Sequence, residues 1–297
     1  MLSFAKAGSS LLLIAWAAVA AGCAGRSGGN NETTALRKAL TFHASFDRGS
    51  DADYAQADAW LYHAPAMEKW SEARPGLPSS GNVRVVPGEG RFGGALRFDK
   101  RADPVVFYRG QQNVPWTAQS WSGSVSVWLR ADFAELAKGY CDPVQITPRA
   151  WNDAAFFLEF EKRDHDVPFR LGAYADLKVW NPLNRDWGTL KPFEKPLITV
   201  DGPPFSRERW THVVFTWQRF NTGSTDGVAL LYLDGAQVGA IRDFTQTFTW
   251  NPTDLRLLLG VGYIGWMDEV AVFNRTLTPH EVQVVRQLPR GIRSLHE

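Results

Sequence analysis

From Leu40 onward, apolar and polar residues alternate with a period of two. "LTFHASF", residues 40–46, sets Leu40, Phe42, Ala44 and Phe46 on one side, as in a strand with one buried face. Further strand candidates follow, separated by turn residues: "NVRVVPG", "GALRFDK", "SVSVWLRA", "AAFFLEFEK", "FRLGAYA", "WTHVVFTWQ", "GVALLYLDG", "DLRLLLG" and "IGWMDEVAVF". Helical spacing occurs twice, in "ADFAELAKG" (131–139) and "TPHEVQVVRQL" (278–288). The second carries a start signal: Thr278 as cap, Pro279 at the first helical position and Glu281 three residues past the cap. Many strands without strand–helix–strand alternation predict an all-β, antiparallel two-sheet sandwich with a short C-terminal helix.

Two stretches interrupt this rhythm, residues 51–82 and 176–209. Both are too long for ordinary connections, and long loops in compact domains tend to be functional or disordered. Their tryptophans argue against disorder. Within the second, "VWNPLNRDWG" (179–188) is a candidate sugar site. Trp180 and Trp187 supply flat faces for a pyranose, while Asn184 and Asp186, with Asn181 and Arg185, supply groups that bond hydroxyls. The competing role for the two tryptophans is to pin the loop to the sandwich.

"IGWMDEVAVF" (264–273) carries an awkward residue. Alternation places Asp268 and Trp266 on the same inward face as Val270 and Val272. A buried carboxylate needs hydrogen bonds, a positive partner or a metal, or it neutralises itself.

The N-terminus has the layout of an export signal over residues 1–22: Lys6, an apolar run from Leu11 to Ala21, then small residues before Cys23. The residues before Cys23 resemble a bacterial lipoprotein processing site, although Ala20 stands where Leu is usual, which leaves plain secretion as the alternative. Residues 23–39, rich in Gly, Ser and Asn at their start, read as a flexible tether, and residues 40–290 as one domain. Cys141 is the sole other cysteine, so a lipidated Cys23 leaves no internal disulfide, and stability must come from core size. The net charge of +1 gives no global reason to expect nucleic acid or an anionic membrane as partner. The 13 Trp and 18 Phe either fill a sandwich or stack on sugars. The six histidines show no metal-ligand spacing, and "GVGYIG" (260–265) runs into a strand rather than the helix a phosphate loop needs.

In their order, "FHASFDRGS", "GRFGGALRFDKR", "SVSVWLRADF", "WTHVVFTW", "LLYLDGAQVG" and "GWMDEVAVFNRTLTPHEV" resemble the laminin G-like, concanavalin A-like lectin/glucanase domains. The resemblance implies a jelly-roll β-sandwich and a non-catalytic carbohydrate-binding or adhesion module of the cell envelope, sometimes holding a structural calcium ion. It also sets the first and last strands side by side, so that Asp47 and Asp268 become candidate calcium ligands; a metal-free lock on backbone N–H groups is the alternative. Related laminarinase-type hydrolases use paired carboxyl groups about 5 Å apart, which makes Glu159 and Asp164 in "LEFEKRD" the candidate pair of an enzyme. The laminarinase signature has Glu, Asp and Glu, whereas Glu161 and Asp164 fill its middle and last places here. A protein-binding role for residues 51–82 is the third possibility.

Overall fold

The computed structural model describes residues 27–101 and 104–297. The signal segment and Cys23 lie outside them. Among the described residues two antiparallel sheets face each other. The first, nine-stranded, runs from edge to edge through Ala236–Ile241, Val228–Leu233, Thr211–Phe220, Trp121–Arg130, Gly265–Phe273, Leu40–Ala44 and Tyr54–Ala55. Ala95–Phe98 also pairs with Gly265–Phe273 and carries Val83–Val86 on its far side. The second, eight-stranded, runs through Leu197–Val200, Phe169–Tyr174, Ala155–Lys162, Gly139–Thr147, Arg256–Val261, Val105–Arg109, Leu61–Ala64 and Arg74–Pro75. This is the expected sandwich, with first and last strands paired through Phe42↔Val272 and Ala44↔Val270.

Alternation decides what the sheets bury. Val125, Val127 and Leu129 of one sheet meet Phe156, Leu158 and Phe160 of the other in the main core. Trp121 lies at one end of that core, its ring centroid 4.8 Å from Trp250 and 5.0 Å from Trp217. A fully buried aromatic side chain of this kind contributes roughly 1.5–3 kcal/mol, so much of the aromatic composition is core.

The helix Pro279–Arg286 forms with its capping box intact: Thr278 Oγ1 accepts from Glu281 N, and the Glu281 carboxylate accepts from Thr278 N. Three expectations change. "ADFAELAKG" is a turn rather than a helix, because Asp132 Oδ1 accepts from Ala134 N and closes the chain locally. Residues 27–39 of the expected tether form a helix, Ser27–Ala39, because Leu36 and Ala39 find an apolar cluster with Val282, Val285 and Leu295. The last strand is bulged between Asp268 and Ala271, with Glu269 at φ 54°, and the extra residue shifts the alternation. Met267, Val270 and Val272 therefore join the main core, while Trp266 packs with Val86 and Ala95 outside it. Asp268 lies on that outer face, not among the core valines.

Candidate functional site

Both insertions extend the second sheet. Residues 51–82 contribute Leu61–Ala64 and Arg74–Pro75 at one edge, and residues 176–209 contribute Leu197–Val200 at the other. Residues 51–82 also give Tyr54–Ala55 to the first sheet, and Phe205 of the second insertion enters the main core. Between the two insertions lies a cleft of about 870 Å³, within the range of small-molecule sites. Met67 and Glu68 of the first insertion and Trp187 of the second line it.

The floor comes from alternation along neighbouring strands. Tyr140, Asp142 and Gln145 from Gly139–Thr147, Phe157 and Glu159 from Ala155–Lys162, and Arg170 from Phe169–Tyr174 point outward. Gly172 lets the Phe157 ring lie against the sheet, since a Cβ there would collide with that ring. Tyr174 stacks on Phe157 at 5.4 Å, and Trp151 meets Trp187 edge to face at 5.4 Å. Tyr140 and Trp151 are 48% and 41% exposed, so their faces are open to a ligand.

The electrostatics of the floor are uneven. Arg170 binds Glu159 through Nε at 2.6 Å and through Nη2, and reaches Glu161 with Nη1 at 3.0 Å. Asp142 has no hydrogen-bonding partner among the described residues. Burial pushes its carboxyl well above the usual range, and the charge of Glu159 adds to that shift, against the pull of Arg170. Burial raises Glu159 too, with Arg170 opposing. Gln145, buried beside them, has no partner for Nε2.

Of the four residues predicted to bind a sugar, Trp187 lines this cleft; Trp180, Asn184 and Asp186 do not. Trp180 Nε1 donates to Asn152 O at 2.8 Å and its ring stands edge-on to Tyr174 at 4.7 Å, so it pins the loop. Asn184 adopts φ 48° in a turn. Asp186 caps the short turn that presents Trp187, accepting from Gly188 N at 2.8 Å. The enzyme pairing is not assembled either: Asp164 is exposed and bound to Lys138 at 2.6 Å, whereas Glu159 is buried on Arg170. The carboxyl that flanks Glu159 is Asp142, opposite it across a bulge between neighbouring strands. His212 is fully buried, bonds Ser126 Oγ at 2.9 Å and is pushed down to about 3 by burial, a structural histidine.

The candidate calcium ligands part in the same way. Both oxygens of Asp47 are engaged, Oδ1 by Gly94 N and Oδ2 by Arg293. Asp268 accepts from Phe92 N at 3.0 Å through Oδ2, while its buried Oδ1 has no partner. The glycine-rich loop wraps it closely: a Cβ on Gly90 would stand 2.8 Å from Asp268 Oδ2 and collide with the carbonyl of Gly94. Burial, with the charge of Glu269, holds the Asp268 carboxyl well above the usual range. Among the described residues no three His, Cys, Asp or Glu side chains gather around one point. Any cation here relies on Asp268 and backbone carbonyls such as that of Gly94, and the orphaned oxygen fits that role.

Solved structures with the same fold share little sequence with this chain. Domain 4 of AbnA, an extracellular arabinanase of Geobacillus stearothermophilus solved with arabinotriose, is 16% identical at a TM-score of 0.51, over 84% of this chain and 98% of that one. The receptor-binding domain of a botulinum neurotoxin C/D mosaic is 12% identical at 0.53, over 85% of this chain and 52% of that one. The binding domain of botulinum neurotoxin DC, solved with SialylT, is 12% identical at 0.51, over 88% and 52%. The chain thus spans about half of each toxin domain. No curated protein matches in sequence. The family model of the concanavalin A-like lectin/glucanases superfamily matches residues 110–283, more than half of the chain, and the protein belongs to that superfamily.

Proposed function

We propose that the protein is an exported, non-catalytic glycan-binding or adhesion module of the cell envelope, lipid-anchored through Cys23 or secreted, which holds a saccharide in the cleft over the second sheet. The cleft itself carries this reading. The exposed rings of Tyr140 and Trp151, with Trp187 beside them, border a floor on which Gln145 Nε2 has no partner and the Asp142 carboxyl meets no donor among the described residues, a combination suited to sugar recognition. Structures of the same fold, solved with arabinotriose and with SialylT, accord with it. A glycan array probed with the purified protein, with a reducing-end assay on every hit, tests it. Binding without new reducing ends is expected. The same assay tests saccharide cleavage by Asp142 and Glu159, the reading their opposed positions favour second.

A structural calcium ion on Asp268 is part of this proposal. Asp268 Oδ1 and the Gly94 carbonyl would hold it, and its charge would keep a deeply buried carboxyl ionised. The melting temperature is then expected to rise with calcium and to lose that response in Asp268→Asn. A wild-type curve unmoved by calcium or chelator removes the ion and leaves Asp268 as an acceptor for Phe92 N.

A further inference from the structure

The charges in the cleft narrow the class of saccharide, an inference that rests on the glycan-binding reading above. The two guanidinium groups nearest the floor are already committed. Arg170 uses Nε, Nη1 and Nη2 on Glu159 and Glu161. Arg149 is held by Asp153, Asp176 and Thr249. Of the remaining cations, Arg101 lies at the exposed mouth, beside Gly262, where solvent screens it, and Lys195 Nζ is stacked on the Trp187 ring, 4.1 Å from its centroid.

The open groups on the floor are of a different kind. Asp142 is 8% exposed and meets no donor among the described residues, and Gln145 is 1% exposed with Nε2 unpartnered. Native proteins leave few buried polar groups in this condition, and those that remain call for an explanation. Both line the cleft. We propose that the cleft takes a neutral saccharide, and that Asp142 and Gln145 read the hydroxyl groups of a sugar ring lying against Trp151, with Trp187 at its edge.

A hydroxyl donates and accepts at once, so adjacent hydroxyls match a carboxyl beside an amide N–H. A carboxylate or sulfate brought to the same place would face Asp142 and Glu159 with no uncommitted guanidinium on the floor. Its desolvation would go uncompensated.

The test measures affinities of the purified protein for matched neutral, uronate-containing, sulfated and amino-sugar oligosaccharides, by calorimetry at constant salt. Asp142→Asn and Gln145→Met are measured alongside wild type, with a melting curve for each. The neutral member of each set is expected to bind tightest, and each substitution to weaken it roughly tenfold, as loss of a buried hydrogen bond does. If Asp142→Asn does not fold, Gln145→Met carries the test of the floor. An anionic or amino-sugar member that binds tighter than its neutral counterpart overturns the neutral class while leaving glycan binding in place. Neutral binding at wild-type strength in the folded variants overturns the assignment of the floor. Failure of every saccharide, whatever its charge, overturns the glycan-binding reading itself and this inference with it.

Discussion

The outer faces of the two sheets carry similar residues and have opposite fates. Over the first sheet, the helices Ser27–Ala39 and Pro279–Arg286 and the C-terminal segment close an apolar cover through Leu36, Val282, Val285, Ile292 and Leu295. The cover brings partners with it. His43 bonds His296 at 2.9 Å and Glu269 at 3.2 Å, and Glu269 Oε2 accepts from Ile292 N. Over the second sheet the insertions cover the edges and leave the centre open. Asp142 and Gln145 are buried as well, yet no donor among the described residues meets the Asp142 carboxyl and Gln145 Nε2 has no partner. A buried carboxyl is a fastening where a cover supplies donors, and a candidate binding group where the cover is missing.

Breaking the covered side is expected to have the largest effect. Glu269→Ala strands His43 and the Ile292 amide, and is expected to cost about 2–4 kcal/mol of stability in chemical denaturation, with ligand affinity in the folded fraction unchanged. If that variant melts like wild type, the contrast between the faces collapses.

On the open side the effects move to binding. Trp187→Ala or Trp151→Ala is expected to weaken saccharide affinity by about 1–3 kcal/mol, with little change in melting, as for an aromatic anchor at an interface. A variant that loses stability and keeps its affinity would reassign its ring to holding the loop.

The next effect is smaller and has the opposite sign. Burial raises the folded pKa of Asp142 above its unfolded value near 3.8, so the folded state holds the proton more tightly. Stability therefore falls as pH climbs from that unfolded value toward the raised folded one. Asp142→Asn removes this dependence and is expected to raise the melting temperature at neutral pH but not at pH 3, while weakening ligand binding. A melting temperature lowered at neutral pH would show Asp142 to be a fastening after all.

Smallest is Asp164→Asn, which removes an exposed pairing with Lys138 and is expected to leave melting and binding within error. Appearance of reducing ends in wild type that vanish in this variant would restore the Glu159–Asp164 pair and contradict the non-catalytic reading.

The sandwich, the capped helix and the presence of two insertions were legible because each leaves a local mark. Period-two alternation marks a strand, the Thr278–Glu281 box marks a helix start, and an overlong connection marks an insertion. Trp187, a tryptophan in such a connection, lines the cleft. Trp180 was not separable from it, because a ring that pins a loop and a ring that faces solvent look alike in sequence; the difference lies in Asn152 and Tyr174, which come from elsewhere in the chain. Asp142 and Gln145 sit in "GYCDPVQIT", whose alternation is interrupted by Pro143 and a bulge. Strict alternation puts Asp268 on the inner face with Val270, whereas one extra residue at Glu269 inverts the pattern and leaves it on the outer one.

By itself, then, the sequence determined what depends on neighbours along the chain: strand periodicity, caps, turn residues, and hence an all-β sandwich with two long excursions. The tertiary structure alone decided which of the buried polar groups are answered. Glu269 is met by His43 and Ile292, and Asp47 by Gly94 and Arg293, whereas Asp142 has no donor. Such partners are tens to hundreds of residues away, and hydrogen bonding depends on distance in space, which local pattern does not encode.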